Sequence, residues 1–238
     1  MSVYLYYGVV VACLAIVLLI VCRRHRRLAF VSGALAAPFG LLDAFFVEDY
    51  WSPSHLIGPH ISIEGIFFSF GNGVFVWLIA IYPFRRRVSS RLRLGTLLPR
   101  YALVSATGLF AMFFLWRDGL GASGLDLMTS AQAAMLLAGL VVLWQRPDLL
   151  PIAVSGSLGF AAFYVLQLAA LSIVGPDLST AWHPVVRDGF TVFGYPIEEV
   201  VWALAYGAVA PLAMAFAGNV EIGKKDGDVD VGRTHPVR

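Results

Sequence analysis

Carboxylic acids in apolar surroundings are the groups in this sequence whose type and spacing could do chemistry. Three of the five glutamates, Glu64, Glu198 and Glu199, stand at the heads of apolar stretches, and Asp43 lies near the end of another. An acid within a bilayer is costly unless it faces protein or a cavity. Glu198 and Glu199 cannot both ionise cheaply at such depth. One of them is expected to keep its proton near neutral pH, favoured by desolvation and by the like charge beside it. A plainer account exists for each glutamate alone: acids in a first helical turn complement the dipole and cap free N–H groups, and Pro196 suits a helix start. The repeated pair, with Glu199 beside it and Asp43 in a neighbouring stretch, points to function. Aromatic rings flank these acids at helical spacing. Phe67 and Phe68 follow Glu64 by three and four residues, Trp202 follows Glu198 by four, and Tyr206 follows Glu199 by seven. Each ring therefore shares a face with an acid. An acid among π faces in a dry pocket can protonate an alkene and stabilise the carbocation formed. Rings that merely fill cores or form interfacial belts are the alternative, for Trp51 and Trp182 above all.

The spacing is repeated. Trp51-Ser52-Pro53 precedes Ile63-Glu64 and then Gly73, and Trp182-His183-Pro184 precedes Ile197-Glu198 and then Gly207. Glutamate to glycine is nine residues in both copies, with an aromatic residue four after the glutamate in both. The expected fold is therefore two parallel three-helix repeats, spans one to three and five to seven, joined by span four as a linker helix.

The elements that must position these groups follow from composition. Of 238 residues 59% are hydrophobic and 13% charged, and the mean hydropathy is +0.77. Soluble domains carry roughly a quarter charged residues, so a single water-soluble core is excluded. The apolar residues form seven blocks of about 20, the length that crosses ~30 Å of hydrocarbon. They run over Val3–Cys22, Leu28–Val47, Ser62–Phe84, Tyr101–Trp116, Leu127–Trp144, Leu149–Val174 and Pro196–Ala217. The expectation is an all-α, multi-pass protein of the cell (inner) membrane, with residues 1–84 as the first repeat, 85–120 as basic loop and linker, 121–218 as the second repeat and 219–238 as a disordered cytoplasmic tail. The first block has Arg23-Arg24-His25-Arg26-Arg27 behind it, which reads as a retained span rather than a cleaved signal peptide. Alternate connections hold 15 of the 17 Lys+Arg, leaving Arg117 and Arg187 on the other side. The positive-inside rule gives N-out and C-in. On this reading the basic run Arg85–Arg93 sets topology and meets lipid headgroups, and no nucleic-acid partner is expected.

Other chemistries find little support. Cys13 and Cys22 lie about 13 Å apart along one helix, too far for a disulfide. A metal site would need His55, His60 and His183 to converge from two loops, with solvated histidines as the ordinary alternative, and no metal is expected. There is no GxGxxG after a strand and no Walker loop. A retinal protein would need a lysine in the last span, whereas Lys224 and Lys225 lie in the tail. A small-solute transporter with midplane polar groups remains an alternative, although Asn72, Gln132, Ser155 and Gln167 form no obvious pathway.

Glu-Asp-Tyr-Trp-Ser-Pro at 48–53, Ile-Ser-Ile-Glu-Gly-Ile-Phe-Phe-Ser-Phe at 61–70 and Gly-Tyr-Pro-Ile-Glu-Glu-Val-Val-Trp at 194–202 together resemble the lycopene cyclase domain family of membrane carotenoid cyclases. Pro196, Glu198 and Glu199 match that family's Pro-x-Glu-Glu motif fully, and Glu64 matches its first acid. The first copy departs, with Ser62 in place of the proline and Gly65 in place of the second acid. The resemblance implies cofactor-independent isomerisation: a glutamic acid protonates the terminal double bond of a polyene end group, a neighbouring double bond attacks the cation, and proton loss leaves a six-membered ring. It implies a lipophilic polyene substrate drawn from the bilayer, with membrane lipid as the other partner. Glu198 or Glu199 is the expected acid, the other returns the proton, and Asp43 and Glu64 assist. Trp51, Phe67, Phe68, Pro196, Trp202 and Tyr206 are the expected substrate-binding residues. A non-catalytic carotenoid- or lipid-binding relative is the second alternative. The first prediction concerns topology: cysteines placed at Ser54 and Ser179 should both react with an impermeant reagent from outside intact cells, and protection of either would contradict the assignment.

Overall fold

The computed structural model describes residues 3–47, 50–53, 56, 62–90, 92–117, 125–175, 180–184 and 189–223. Among the described residues seven helical segments are long and apolar enough to cross a membrane, which makes the chain a multi-pass membrane protein. The first span is α1 (Val3–Val21). The second is broken: α2 (Arg26–Ala36) tightens into a 3-10 stretch (Ala37–Leu42) and resumes as α3 (Asp43–Phe46). The unbroken block read from hydropathy fails here because Pro38 has no N–H to return to the preceding turn. The remaining spans are α4 (Ile63–Ile81), α5 (Leu94–Arg117), α6 (Leu127–Gln145), α7 (Leu150–Val174) and α8 (Ile197–Ala217). α5 begins seven residues before its expected start, because Pro99 lies in the first turns and costs only the bond to Gly95.

Helix is not the whole story. Val88–Ser90 (β1) pairs antiparallel with Val220–Ile222 (β4), so the expected disordered tail is ordered through its first residues. The alternation of Val220 and Ile222 with Glu221 suits a strand with one covered face, and Asn219, at φ 48°, turns the chain into it. Thr191–Val192 (β2) and Tyr195–Pro196 (β3) form a hairpin. Its two turn residues, Phe193 at φ 54° and Gly194 at φ 83°, have the left-handed pair that a tight two-residue hairpin requires. That hairpin delivers the chain to the head of α8. Glu48, Asp49, Ser54, His55, His60, Ser179, Arg187 and residues 224–238 lie outside the described residues.

The two helices headed by glutamate form the middle of the bundle. α4 packs against α1, α2 and α7, and α8 against α5, α6 and α7. Both approaches to a neighbour depend on the glycine nine residues beyond the first glutamate. Gly73 lies against Gly33 and Ser32 of α2, and Gly207 against Gly156 and Ser157 of α7. Serine reinforces each crossing: Ser32 Oγ donates to Gly73 O at 2.8 Å, and Ser157 Oγ donates to Leu204 O at 2.9 Å. Small residues with inter-helix hydrogen bonds are what lipid-embedded helices use in place of a hydrophobic drive.

A Cβ at Gly207 would stand 2.6 Å from Gly156 O, whereas one at Gly139 would meet Val209 and Leu212 side chains at 3.8 Å. Gly207→Ala is therefore expected to destabilise the protein by about 1–3 kcal/mol through overpacking. Gly139→Ala should be neutral or stabilising by about 0.5–1 kcal/mol through helix propensity. Unfolding of both variants in one detergent checks the contrast, and equal responses would contradict the crossing.

Candidate functional site

Four acids gather at one end of the bundle, but their surroundings differ. Glu199, in the first turn of α8, is 6% exposed. Its Oε1 accepts from Tyr50 Oη at 2.9 Å and from Trp182 Nε1 at 3.1 Å, and its Oε2 accepts from Tyr164 Oη at 2.7 Å. The donors come from the loop after the second span, the loop before α8, and α7. Three neutral donors can stabilise the carboxylate. A carboxyl that carries its proton can instead give it to a rotated tyrosine hydroxyl, so the pocket suits both states.

Asp43 opens α3. Its Oδ2 accepts from Tyr4 Oη at 2.6 Å and from Ser62 Oγ at 2.8 Å, and Ser62 Oγ in turn caps α4 by accepting from Gly65 N at 2.8 Å. The two departures of the first motif now have a shared physical reason. A side chain at Gly65 would collide with the Asp43 carboxylate and the Gly40 carbonyl, and Ser62 supplies a hydroxyl that proline lacks. The space a side chain at position 65 would need is thus occupied by the Asp43 carboxylate of the second span. Glu64 is fully buried and its Oε1 accepts from Leu56 N at 2.7 Å, so it holds Leu56 against the head of α4. Glu198 is half-buried, its Oε2 has no hydrogen-bond partner among the described residues, and its backbone carbonyl accepts from Gln132 Nε2 at 3.0 Å.

A cavity of about 260 Å³ divides the four acids: Asp43 and Glu199 line it, and Glu64 and Glu198 do not. Tyr50, Trp51 and Trp182 line it near these acids, and its walls are Phe68, Trp202 and Tyr206 with apolar faces of the second span, α5 and α6. Phe68 and Trp202 stack with centroids 6.3 Å apart, and Trp202 and Tyr206 with centroids 5.0 Å apart. Phe67 is 38% exposed and Pro196 is buried at the N-cap of α8, and neither lines the cavity. Phe67 lies exposed on α4, and Pro196 sets the start of α8. Trp51 and Trp182 also exceed the role of interfacial anchors. Their loops pair as an antiparallel bridge, with Ser52 N donating to Ala181 O at 2.6 Å and His183 N to Tyr50 O at 3.1 Å. Their rings lie 5.4 Å apart, and Tyr4 meets Trp51 edge-on at 4.7 Å.

Sequence reasoning missed Tyr4, Tyr7, Tyr50 and Tyr164. The signal available was a tyrosine hydroxyl at Tyr4, Tyr7 and Tyr164 in strongly apolar spans, with Tyr4 and Tyr7 on one helical face. It also left Asn72 and Gln167 apart, whereas Tyr7 Oη donates to Gln167 Oε1 at 2.5 Å and Gln167 Nε2 to Asn72 Oδ1 at 3.3 Å. Among the described residues no group of three His, Cys, Asp or Glu could hold a metal.

Fold and site define a multi-pass helical membrane protein with a largely apolar cavity capped by two neutral-donor carboxylate sites. No protein-family model, curated protein or solved structure matches the chain.

Burial pushes the Tyr50 hydroxyl well above its usual range, with Glu199 beside it adding to the effect, and pushes the Tyr195 hydroxyl up to about 12. An unfolded tyrosine ionises near pH 10. Stability from keeping Tyr195 neutral is whole below that value and is lost as pH rises toward the folded value. Tyr195→Phe should therefore flatten the loss of stability between about pH 10 and about 12. Unfolding transitions followed across that window would contradict the assignment if wild type and variant fell in parallel.

Proposed function

We propose that the chain is a cofactor-independent cyclase of linear polyene end groups, of the lycopene type, in which Glu199 and Asp43 handle the proton. The observation that carries this reading is the cavity that joins these two acids to the Phe68–Trp202–Tyr206 ring stack. A protonated carboxyl at its head gives its proton to the terminal alkene. The tertiary cation lies against π faces. The neighbouring double bond forms the new C–C bond, and a proton from carbon returns to a carboxylate, so the sum is an isomerisation. Chains of this kind exceed the cavity. At about 260 Å³ it falls below the ~300–1,000 Å³ of sites that enclose a whole drug-sized ligand. One end group enters and the rest of the polyene stays in lipid.

The proposal includes two parallel three-helix repeats about an axis along the membrane normal, oriented N-out and C-in. Trp51 bridges Trp182, its counterpart in the other copy, and the two hydrogen bonds beside the bridge exchange under the same correspondence. A residue meeting its own equivalent is the mark of a two-fold contact. The matched Gly73 and Gly207 crossings support the same relation. α5, expected as a linker, also supplies a cavity wall through Tyr101, Val104, Gly108 and Met112.

Expression of variants in a lycopene-producing host tests this reading by pigment analysis. Glu199→Gln should cut ring formation by about 10²–10⁴-fold, the usual worth of a general acid. Asp43→Asn should have a comparable effect, while Glu198→Gln and Glu64→Gln should leave substantial turnover in folded protein. Full activity in Glu199→Gln would exclude it as the donor. No turnover of any linear carotenoid by wild type would favour a non-catalytic polyene- or lipid-binding protein with the same cavity.

A further inference from the structure

We infer that the cavity takes a polyene bearing an oxygen function, a hydroxyl or carbonyl, part-way along its chain, and that Asn72 and Tyr206 receive that oxygen. This deepens the cyclase reading by naming a substrate class for the same cavity, but it stands on atoms the proton chemistry does not use. Asn72 is 1% exposed in the middle of α4 and lines the cavity, as does Tyr206 of α8. Asn72 Nδ2 and Tyr206 Oη are buried without a hydrogen-bond partner among the described residues. Polar groups left unpaired in a hydrocarbon-embedded bundle are costly and rare, and both of these belong to residues that line one cavity.

The orphaned atom at Asn72 does not depend on how the amides are oriented. With Tyr7 donating to Gln167 Oε1, Gln167 Nε2 donates to Asn72 Oδ1, and Asn72 Nδ2 is left over. If both amides are flipped and Tyr7 accepts instead, Asn72 Oδ1 is left over. Either way one polar atom of Asn72 remains for a ligand. The two groups also lie in register. Asn72 is one turn beyond Phe68 and Tyr206 one turn beyond Trp202, and these rings stack with centroids 6.3 Å apart. Both therefore lie one turn beyond the same aromatic layer. Tyr206 is seven residues past Glu199, or about 10 Å along the helix. A hydrocarbon threaded through this layer would leave both groups unpaired. A carbonyl accepts from Asn72 Nδ2 and Tyr206 Oη, and a hydroxyl can both donate and accept, which suits either amide orientation. A site built around a hydrogen bond discriminates strongly against the analogue that lacks the bonding group.

The test is binding to the full chain in lipid nanodiscs, followed by quenching of tryptophan fluorescence. The probes are lycopene and its monohydroxy and monoketo derivatives of the same chain length. Wild type should bind an oxygenated probe about tenfold more tightly than lycopene, the worth of one or two hydrogen bonds in a dry site. Tyr206→Phe should reduce that preference to threefold or less, without lowering Tm, because its hydroxyl has no partner to lose among the described residues. The C=O stretch of the bound ketone should shift upward in that variant. Asn72→Leu should also reduce the preference. Equal binding of the three probes by wild type would overturn the inference, as would a preference unchanged in both variants. Ring closure without oxygen preference would retain the cyclase reading and remove this one; preference without ring closure would do the reverse.

Discussion

A carboxylate buried among helices with no cation at hand among the described residues must be satisfied by neutral donors, and much of this structure is arranged to supply them. Glu199 takes three, from Tyr50, Tyr164 and Trp182, which lie on three different segments. Asp43 takes bonds from Tyr4 and Ser62. Each bond ties another helix or a loop to the acid. The loops carrying Trp51 and Trp182 are thereby brought together, and their backbone bridge closes the top of the cavity. Removal of a single donor would leave a charged group short of partners, a cost of about 1.5–3 kcal/mol for such bonds. The acids thus knit the bundle end at which they would act.

The opposite end obeys different physics. There Arg24 donates to Arg86 O, Arg146 donates to Val220 O and pairs with Asp148, and β1 holds β4. Arginines at that end satisfy backbone carbonyls and sit over the rings of Tyr82, Phe84 and Phe216. Between the two ends, small residues decide where space remains. Glycine contacts draw α2 against α4 and α7 against α8, while Gly108 of α5 and Ala131, Ala134 and Ala138 of α6 line open volume. The same residue class makes contact in one place and room in another, according to what lies opposite.

Seven spans, the glutamate-headed helices and the Phe68, Trp202 and Tyr206 face were legible in the sequence because length and helical period are local properties. Hydropathy could not see the break at Pro38 or the early start of α5, since both depend on which single hydrogen bond a proline forfeits. The donor sets were illegible for another reason. Tyr50 reaches Glu199 across 149 positions and Tyr164 across 35, and a tyrosine in an apolar span has the same pattern whether it fills space or serves an acid. Gly65 read as a lost acid. Only the approach of Asp43 reveals it as the vacancy that lets another acid in. Asn72 and Gln167 read as isolated for the same cause: Tyr7, which links them, comes from the first span.

The central claim is that a carboxyl of this protein starts ring closure by adding a proton to carbon. Its most direct test is a turnover in heavy water with purified protein in nanodiscs, followed by mass spectrometry of the cyclised pigment. Carboxyl protons exchange with solvent, and the proton lost at the end comes from substrate carbon. The account therefore predicts one carbon-bound deuterium for each ring formed. Cyclised product with no deuterium would contradict it.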